Sequence, residues 1–234
     1  MRLLIASLIL FFGLNSLLKA NDTTMTLHYL VRQPKIKSDK PPVIILLHGV
    51  GSNEEDLFSF ADKLPDKYLV ISARAPITLS KGSYAWYEVD FSTGKPIYNT
   101  QQEEKSRNII IQFISELKQK FSFDDQQVYL CGFSQGAIMS YCVGLTRPDL
   151  VKGIGIMSGR LLEEVKSLIT SNDKLKQLKV FISHGTKDQT LNIQYARTSV
   201  AYLKTLNINP VYKEYPEGHT ISNEMLIDLI NWLK

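Results

Sequence analysis

The chain has 234 residues, 44% hydrophobic and 21% charged, which is enough for one domain with a substantial core. Its formal net charge is +4, and loss of residues 1–20 would remove Arg2 and Lys19 and leave +2. So small and evenly spread an excess argues against a nucleic-acid partner, and no repeat or low-complexity tract suggests an array or a disordered tail.

In chain order, Met1-Arg2 leads into the apolar run Leu3–Leu14, and a polar restart at Asn21-Asp22 follows Ala20. A basic start, a short apolar stretch and a small residue at a candidate cleavage point describe a secretory signal peptide over residues 1–20. Leu18 occupies a position where a small residue is preferred, so an uncleaved N-terminal anchor is the rival reading. The run is short for a full span, and none is expected once the leader is gone. The expectation is an exported protein, periplasmic or secreted, whose functional domain is residues 21–234. Export permits disulfides, and the chain has Cys131 and Cys142. One falls on a strand and the other on the following helix, in layers about 10 Å apart, whereas a bridge needs Cα atoms within about 7 Å. Both are expected to be free core residues.

Thr26–Arg32 alternates like a short edge strand, and Lys35–Pro42 is a polar, proline-bounded connector. Pro42–Leu47 is a continuous β-branched run, the pattern of a strand buried on both faces of a parallel sheet. It ends in His48-Gly49-Val50-Gly51-Ser52, and Asn53 is placed to cap a helix running to about Lys63. Tyr68–Ser72 is the next strand. Ala73–Gln101 has no sustained period, and so long a loop is usually functional. It gathers Tyr84, Trp86, Tyr87, Phe91 and Tyr98, rings that either pin the loop or line a pocket; Trp86 and Tyr87 are the candidates for substrate contact. Glu103–Phe121 is an amphipathic helix with Ile109, Ile110, Phe113, Ile114, Leu117 and Phe121 on one face. Gln127–Gly132 is a strand, and the helix after it ends near Arg147-Pro148. Strands over Val151–Met157, Leu178–Ser183 and Pro210–Tyr215 alternate with helical pieces over Leu161–Leu178, broken at Ser171-Asn172, and with helices over Ile193–Leu206 and Ser222–Lys234. Such alternation predicts an α/β fold with a doubly wound, mostly parallel sheet, its site at the strands' C-terminal ends.

Between the Gln127–Gly132 strand and its helix stands Gly132-Phe133-Ser134-Gln135-Gly136, the Gly-x-Ser-x-Gly of a nucleophile elbow. Such a turn exposes a strained serine at a helix N-terminus, where the dipole and free N–H groups favour developing negative charge. An alcohol needs a base to attack a carbonyl near neutrality. Of the four histidines, His28 has no special context, and His48 ends a strand and is expected to shape the loop after it. His219 follows the last strand at the same sheet edge as Ser134 and is the candidate base. The base needs an acid to fix its tautomer. Asp188, in Ser183-His184-Gly185-Thr186-Lys187-Asp188, follows the penultimate strand at that edge, with His184 bracing its turn. Asp173 and Asp228 are weaker choices, on helical segments expected to face solvent. The order Ser134…Asp188…His219 matches that of α/β-hydrolases. Donors for an oxyanion are expected from the backbone N–H groups of Gln135 and Val50.

The segments Leu46–Leu57, Gly132–Gly136, His184–Asp188 and Gly218-His219 together resemble the phospholipase/carboxylesterase family, which includes acyl-protein thioesterases. The resemblance spans roughly Pro42 to Lys234. It implies a minimal α/β-hydrolase without a large lid, acting on small-molecule carboxylic esters, thioesters or lysophospholipids, with no metal and no cofactor. A monomer or weak homodimer is expected. The neighbouring dienelactone hydrolases use a cysteine nucleophile, which Ser134 argues against. Rival readings are an exported carbohydrate-ester (feruloyl-type) esterase or a peptidase using the same residues, and a ligand-binding protein on a hydrolase scaffold.

Overall fold

The computed structural model describes residues 25–90, 92 and 97–234. The expected leader and Phe91 lie outside the described residues. The chain opens with β1 (Tyr29–Arg32) and β2 (Val43–Leu47), followed by a short helix α1 (Glu54–Phe58). Asn53 caps α1, its side chain accepting from the Glu55 N–H at 2.9 Å. The single helix expected to reach Lys63 instead breaks after Phe58, and a 3₁₀ turn covers Ala61–Lys63. Ser59 stops it by donating its hydroxyl to the Asp56 carbonyl.

β3 (Leu69–Ala73) leads into a segment that is more ordered than its sequence suggests. It holds two antiparallel hairpins, β4 (Ile77–Ser80) with β5 (Ser83–Ala85) and β6 (Val89–Asp90) with β7 (Ile97–Tyr98). Strands of two to four residues are too short to show a period, which is why the sequence hides them. The long helix α2 (Thr100–Lys120) starts earlier than its apolar stripe because Asn99 caps it, accepting from the Gln102 N–H at 3.1 Å.

The remainder alternates regularly: β8 (Val128–Phe133), α3 (Gln135–Thr146), β9 (Gly153–Met157), the short α4 (Glu163–Lys166) and α5 (Asp173–Lys176), β10 (Lys179–Gly185), α6 (Ile193–Thr205), β11 (Val211–Tyr215) and α7 (Asn223–Leu233). Seven strands form one sheet in the order β1-β3-β2-β8-β9-β10-β11. Only β1 is antiparallel to its neighbour.

Pairing Leu47 with Gly132, Phe133 with Met157, Met157 with Ser183 and Gly185 with Tyr215 brings the C-terminal ends of five strands to one edge. Side-chain alternation divides the core. Ile45 and Leu47 face α2, α3 and α6, while Ile44 and Leu46 face α1 and α7. Cys131 belongs to the second layer and Cys142 to the first, so the sheet itself separates them and both are free thiols. Burial pushes the Cys131 thiol up to about 12, so it stays protonated and inert. Among the described residues no helix is long and apolar enough to cross a membrane.

Candidate active site

Ser134 stands between β8 and α3 with φ 51° and ψ −114°, a left-handed conformation that a residue with a side chain rarely adopts. Its N–H is held by the Met157 carbonyl at 2.9 Å. The turn closes only because its flanks lack side chains. A Cβ on Gly136 would lie 2.0 Å from the Leu47 carbonyl oxygen, and one on Gly132 would lie 2.2 Å from the Gly136 carbonyl carbon. Backbone atoms cannot swing aside, so the two glycines set how closely α3 approaches β2 and β8.

Three side chains from three loops meet at this point. His219 Nε2 lies 2.9 Å from Ser134 Oγ, and His219 Nδ1 lies 2.7 Å from Asp188 Oδ2. Asp188 Oδ1 accepts the N–H groups of Thr190 at 2.9 Å and Leu191 at 2.7 Å. A buried carboxylate satisfied in this way is an acceptor only, which assigns the His219 proton to Nδ1 and leaves the Nε2 lone pair for the serine hydroxyl. The loops carrying Asp188 and His219 are fastened together by Thr186 N–H to the Tyr215 carbonyl (2.7 Å) and Lys187 N–H to the Glu217 carbonyl (2.9 Å). Phe133 packs against the His219 ring, their centroids 4.9 Å apart.

The other two buried histidines support loops. His184 Nε2 donates to the Leu191 carbonyl at 2.6 Å and lies 3.3 Å from Asp188 Oδ2, bracing the acid's turn. Burial lowers its pKa and keeps it neutral. His48 accepts the Ala75 N–H on Nε2 at 3.0 Å and so donates from Nδ1 to the Gly49 carbonyl at 2.7 Å. It too is held neutral, chiefly by burial. Of the competing acids, Asp228 pairs with Lys213 at 2.6 Å and with the Tyr215 hydroxyl at 2.6 Å, while Asp173 pairs with Lys176 at 3.3 Å.

The His48–Asn53 loop lies against the β4–β5 hairpin through Gly51 N–H to the Tyr84 carbonyl (2.8 Å) and Tyr84 N–H to the Ser52 carbonyl (2.9 Å). Val50, Ser134 and Gln135 line one cleft, with Tyr87, Ile138 and Leu191 as apolar walls. Among the described residues, neither the Val50 nor the Gln135 backbone N–H has a protein acceptor. The Gln135 side chain is occupied elsewhere, accepting the Trp86 N–H at 2.8 Å and donating to the Tyr87 carbonyl at 2.6 Å.

Trp86 and Tyr87 therefore separate. Both are buried, but Tyr87 borders the cleft, whereas Trp86 donates its indole N–H to the His48 carbonyl at 3.0 Å, beneath the Val50 loop. Tyr98 also borders the cleft, while Tyr84 stacks on the Arg74 guanidinium away from it. Arg160, two residues past the β9 loop's Ser158, lines the cleft and was not singled out from sequence. Its place just beyond a strand's C-terminal end was the available signal. Chemically, an activated hydroxyl, a fixed imidazole and two free N–H groups suit attack on a carbonyl and stabilisation of the resulting oxyanion.

Residues 30–234 match the protein family described as Phospholipase/Carboxylesterase. The chain is 26% identical to carboxylesterase SOBER1 of Arabidopsis thaliana over 204 residues, covering 82% of this chain and 89% of that protein. It is also 26% identical to acyl-protein thioesterase 1 of Candida albicans over 225 residues, covering 87% and 96%. The fold is similar to the crystal structure of a Bacillus cereus carboxylesterase, with a TM-score of 0.76 at 21% identity over 88% of this chain and 93% of that one.

Proposed function

The chain belongs to the phospholipase/carboxylesterase family of α/β-hydrolases, enzymes that cleave ester bonds, and on that premise we propose that it is a serine carboxylesterase working through an acyl-enzyme. Ser134 Oγ attacks the ester carbonyl as its proton passes to His219 Nε2, and Asp188 keeps His219 in the reactive tautomer and balances the imidazolium. The Val50 and Gln135 N–H groups hold the oxyanion of the tetrahedral intermediate. Its collapse expels the alcohol, which leaves with the proton from His219. Water then attacks the acyl-serine, with His219 again the base, and releases the acid.

The unbroken hydrogen-bonded run Asp188–His219–Ser134 carries this reading, ending on a serine held at a φ of 51°. Tyr87 forms one wall for the substrate, and Trp86 supports the oxyanion loop from below. The same machinery accepts thioesters and lysophospholipids, and export of the domain remains part of the proposal. Ser134→Ala is expected to abolish 4-nitrophenyl ester turnover while the circular dichroism and melting of the protein stay unchanged. Retention of more than a few per cent of the activity by folded S134A protein would contradict the assignment.

A further inference from the structure

Among the described residues, Arg160 is the one Lys or Arg that borders the cleft. It follows β9 through Ser158, whose φ of 50° turns the chain sharply, and its guanidinium lies near two tyrosine rings. The guanidinium carbon lies 5.2 Å from the Tyr98 ring centre and 5.1 Å from the Tyr195 ring centre. Two aromatic rings within cation–π distance restrict the guanidinium without occupying its N–H donors.

Among the described residues no carboxylate lies within 4 Å of it, and its buried Nε has no acceptor. On neighbouring α4, Glu164 Oε1 is buried without a partner, and neither acid of that helix pairs with Arg160. Glu164 Oε2 accepts the Tyr98 hydroxyl at 2.7 Å, which also steadies that ring, and Glu163 pairs with Lys166 at 2.7 Å. An arginine beside two rings, with no carboxylate partner and an unpartnered Nε, is suited to a flat, bidentate anion.

Resting on the esterase reading above, we propose that Arg160 makes the enzyme selective for esters that carry a carboxylate, recognised along the guanidinium edge while Ser134 attacks the neighbouring ester carbonyl. The carboxylate belongs to the acid half of the ester or to its alcohol half, and matched substrate pairs separate the two. Mono-4-nitrophenyl adipate against 4-nitrophenyl hexanoate places the charge on the acid side; 4-(butyryloxy)benzoate against phenyl butyrate places it on the alcohol side.

For each pair the readout is the charged-to-neutral ratio of kcat/KM, which does not depend on how much of a variant folds. Arg160→Gln is expected to lower that ratio about 10- to 100-fold in one pair, mainly through KM. Arg160→Lys should fall between, because it keeps the charge without the fork. Ratios unmoved by Arg160→Gln in both pairs, as when the guanidinium serves only an internal contact with Glu164, would overturn the inference and leave the esterase reading standing. Failure of the native enzyme to hydrolyse any of the four esters would instead remove the esterase reading, and this inference with it.

Discussion

At Asp188 one atom's worth of chemistry decides whether His219 can act. Because the Thr190 and Leu191 N–H groups both donate to Oδ1, an asparagine at this position turns its own oxygen to them and its amide N–H toward His219. His219 Nδ1 must then accept, Nε2 carries the proton, and the ring cannot take one from Ser134. Asp188→Asn is therefore expected to lower kcat about 10,000-fold with little change in KM and no loss of fold. A kcat within tenfold of native would show that the carboxylate has no such role. The neighbouring pair Trp86 and Tyr87 shows where sequence reasoning runs out at this scale. The two adjacent rings lie in a bend after β5 and both join the core, and composition does not say which of them also borders the cleft. The structure buries both, Trp86 under the His48 carbonyl and Tyr87 at the wall of the cleft.

The elements that carry the site were legible where physics leaves a strong local mark. Continuous β-branched runs betray strands buried on both faces, as at Val43–Leu47, and Asn53 announces a helix start by its side-chain oxygen. The two hairpins between β3 and α2 leave no such mark, since their strands are held by pairing rather than by an apolar face. Arg160 was hidden for a related reason. Tyr98 and Tyr195, which define its environment, come from distant parts of the chain. The elbow, by contrast, can be read from its two glycines, and their need is steric. Gly136→Ala sets a methyl group against the Leu47 and His48 carbonyls, at 2.0 and 2.7 Å, and must push α3 off the sheet. A loss of about 2 kcal/mol or more in stability, measured by urea denaturation, is expected together with a collapse of esterase activity. Native stability in G136A would mean that the backbones have room to part.

At the scale of the molecule, stability has an acid-sensitive component at the edge of the sheet. Buried Glu54 binds Arg74 through both carboxylate oxygens, one of them at 2.7 Å from Nε, and lies 3.2 Å from His28 Nδ1, joining α1 to the chain beside β1 and β3. The Arg74 hydrogen bonds hold the Glu54 carboxyl below its ordinary value. A carboxylate lowered on folding contributes stability that is complete above the unfolded value of about 4.3 and fades as pH falls through the lower folded value. Glu54→Gln should therefore cost about 1–2 kcal/mol at pH 7. The gap to native should close as both proteins are unfolded at successively lower pH below about 4. A gap of constant size from pH 7 to pH 3 would show that the ion pair is not its source. The layered core adds a simpler feature: with the sheet between them, Cys131 and Cys142 contribute no cross-link to this stability.

All of these scales converge on Ser134, and a fluorophosphonate probe interrogates it directly. Peptide mass mapping of the labelled protein is expected to find the adduct on Ser134 alone, formed at least about 1,000-fold more slowly when His219 is replaced by alanine. An adduct on another residue, or an undiminished rate in the folded His219→Ala protein, would contradict the account.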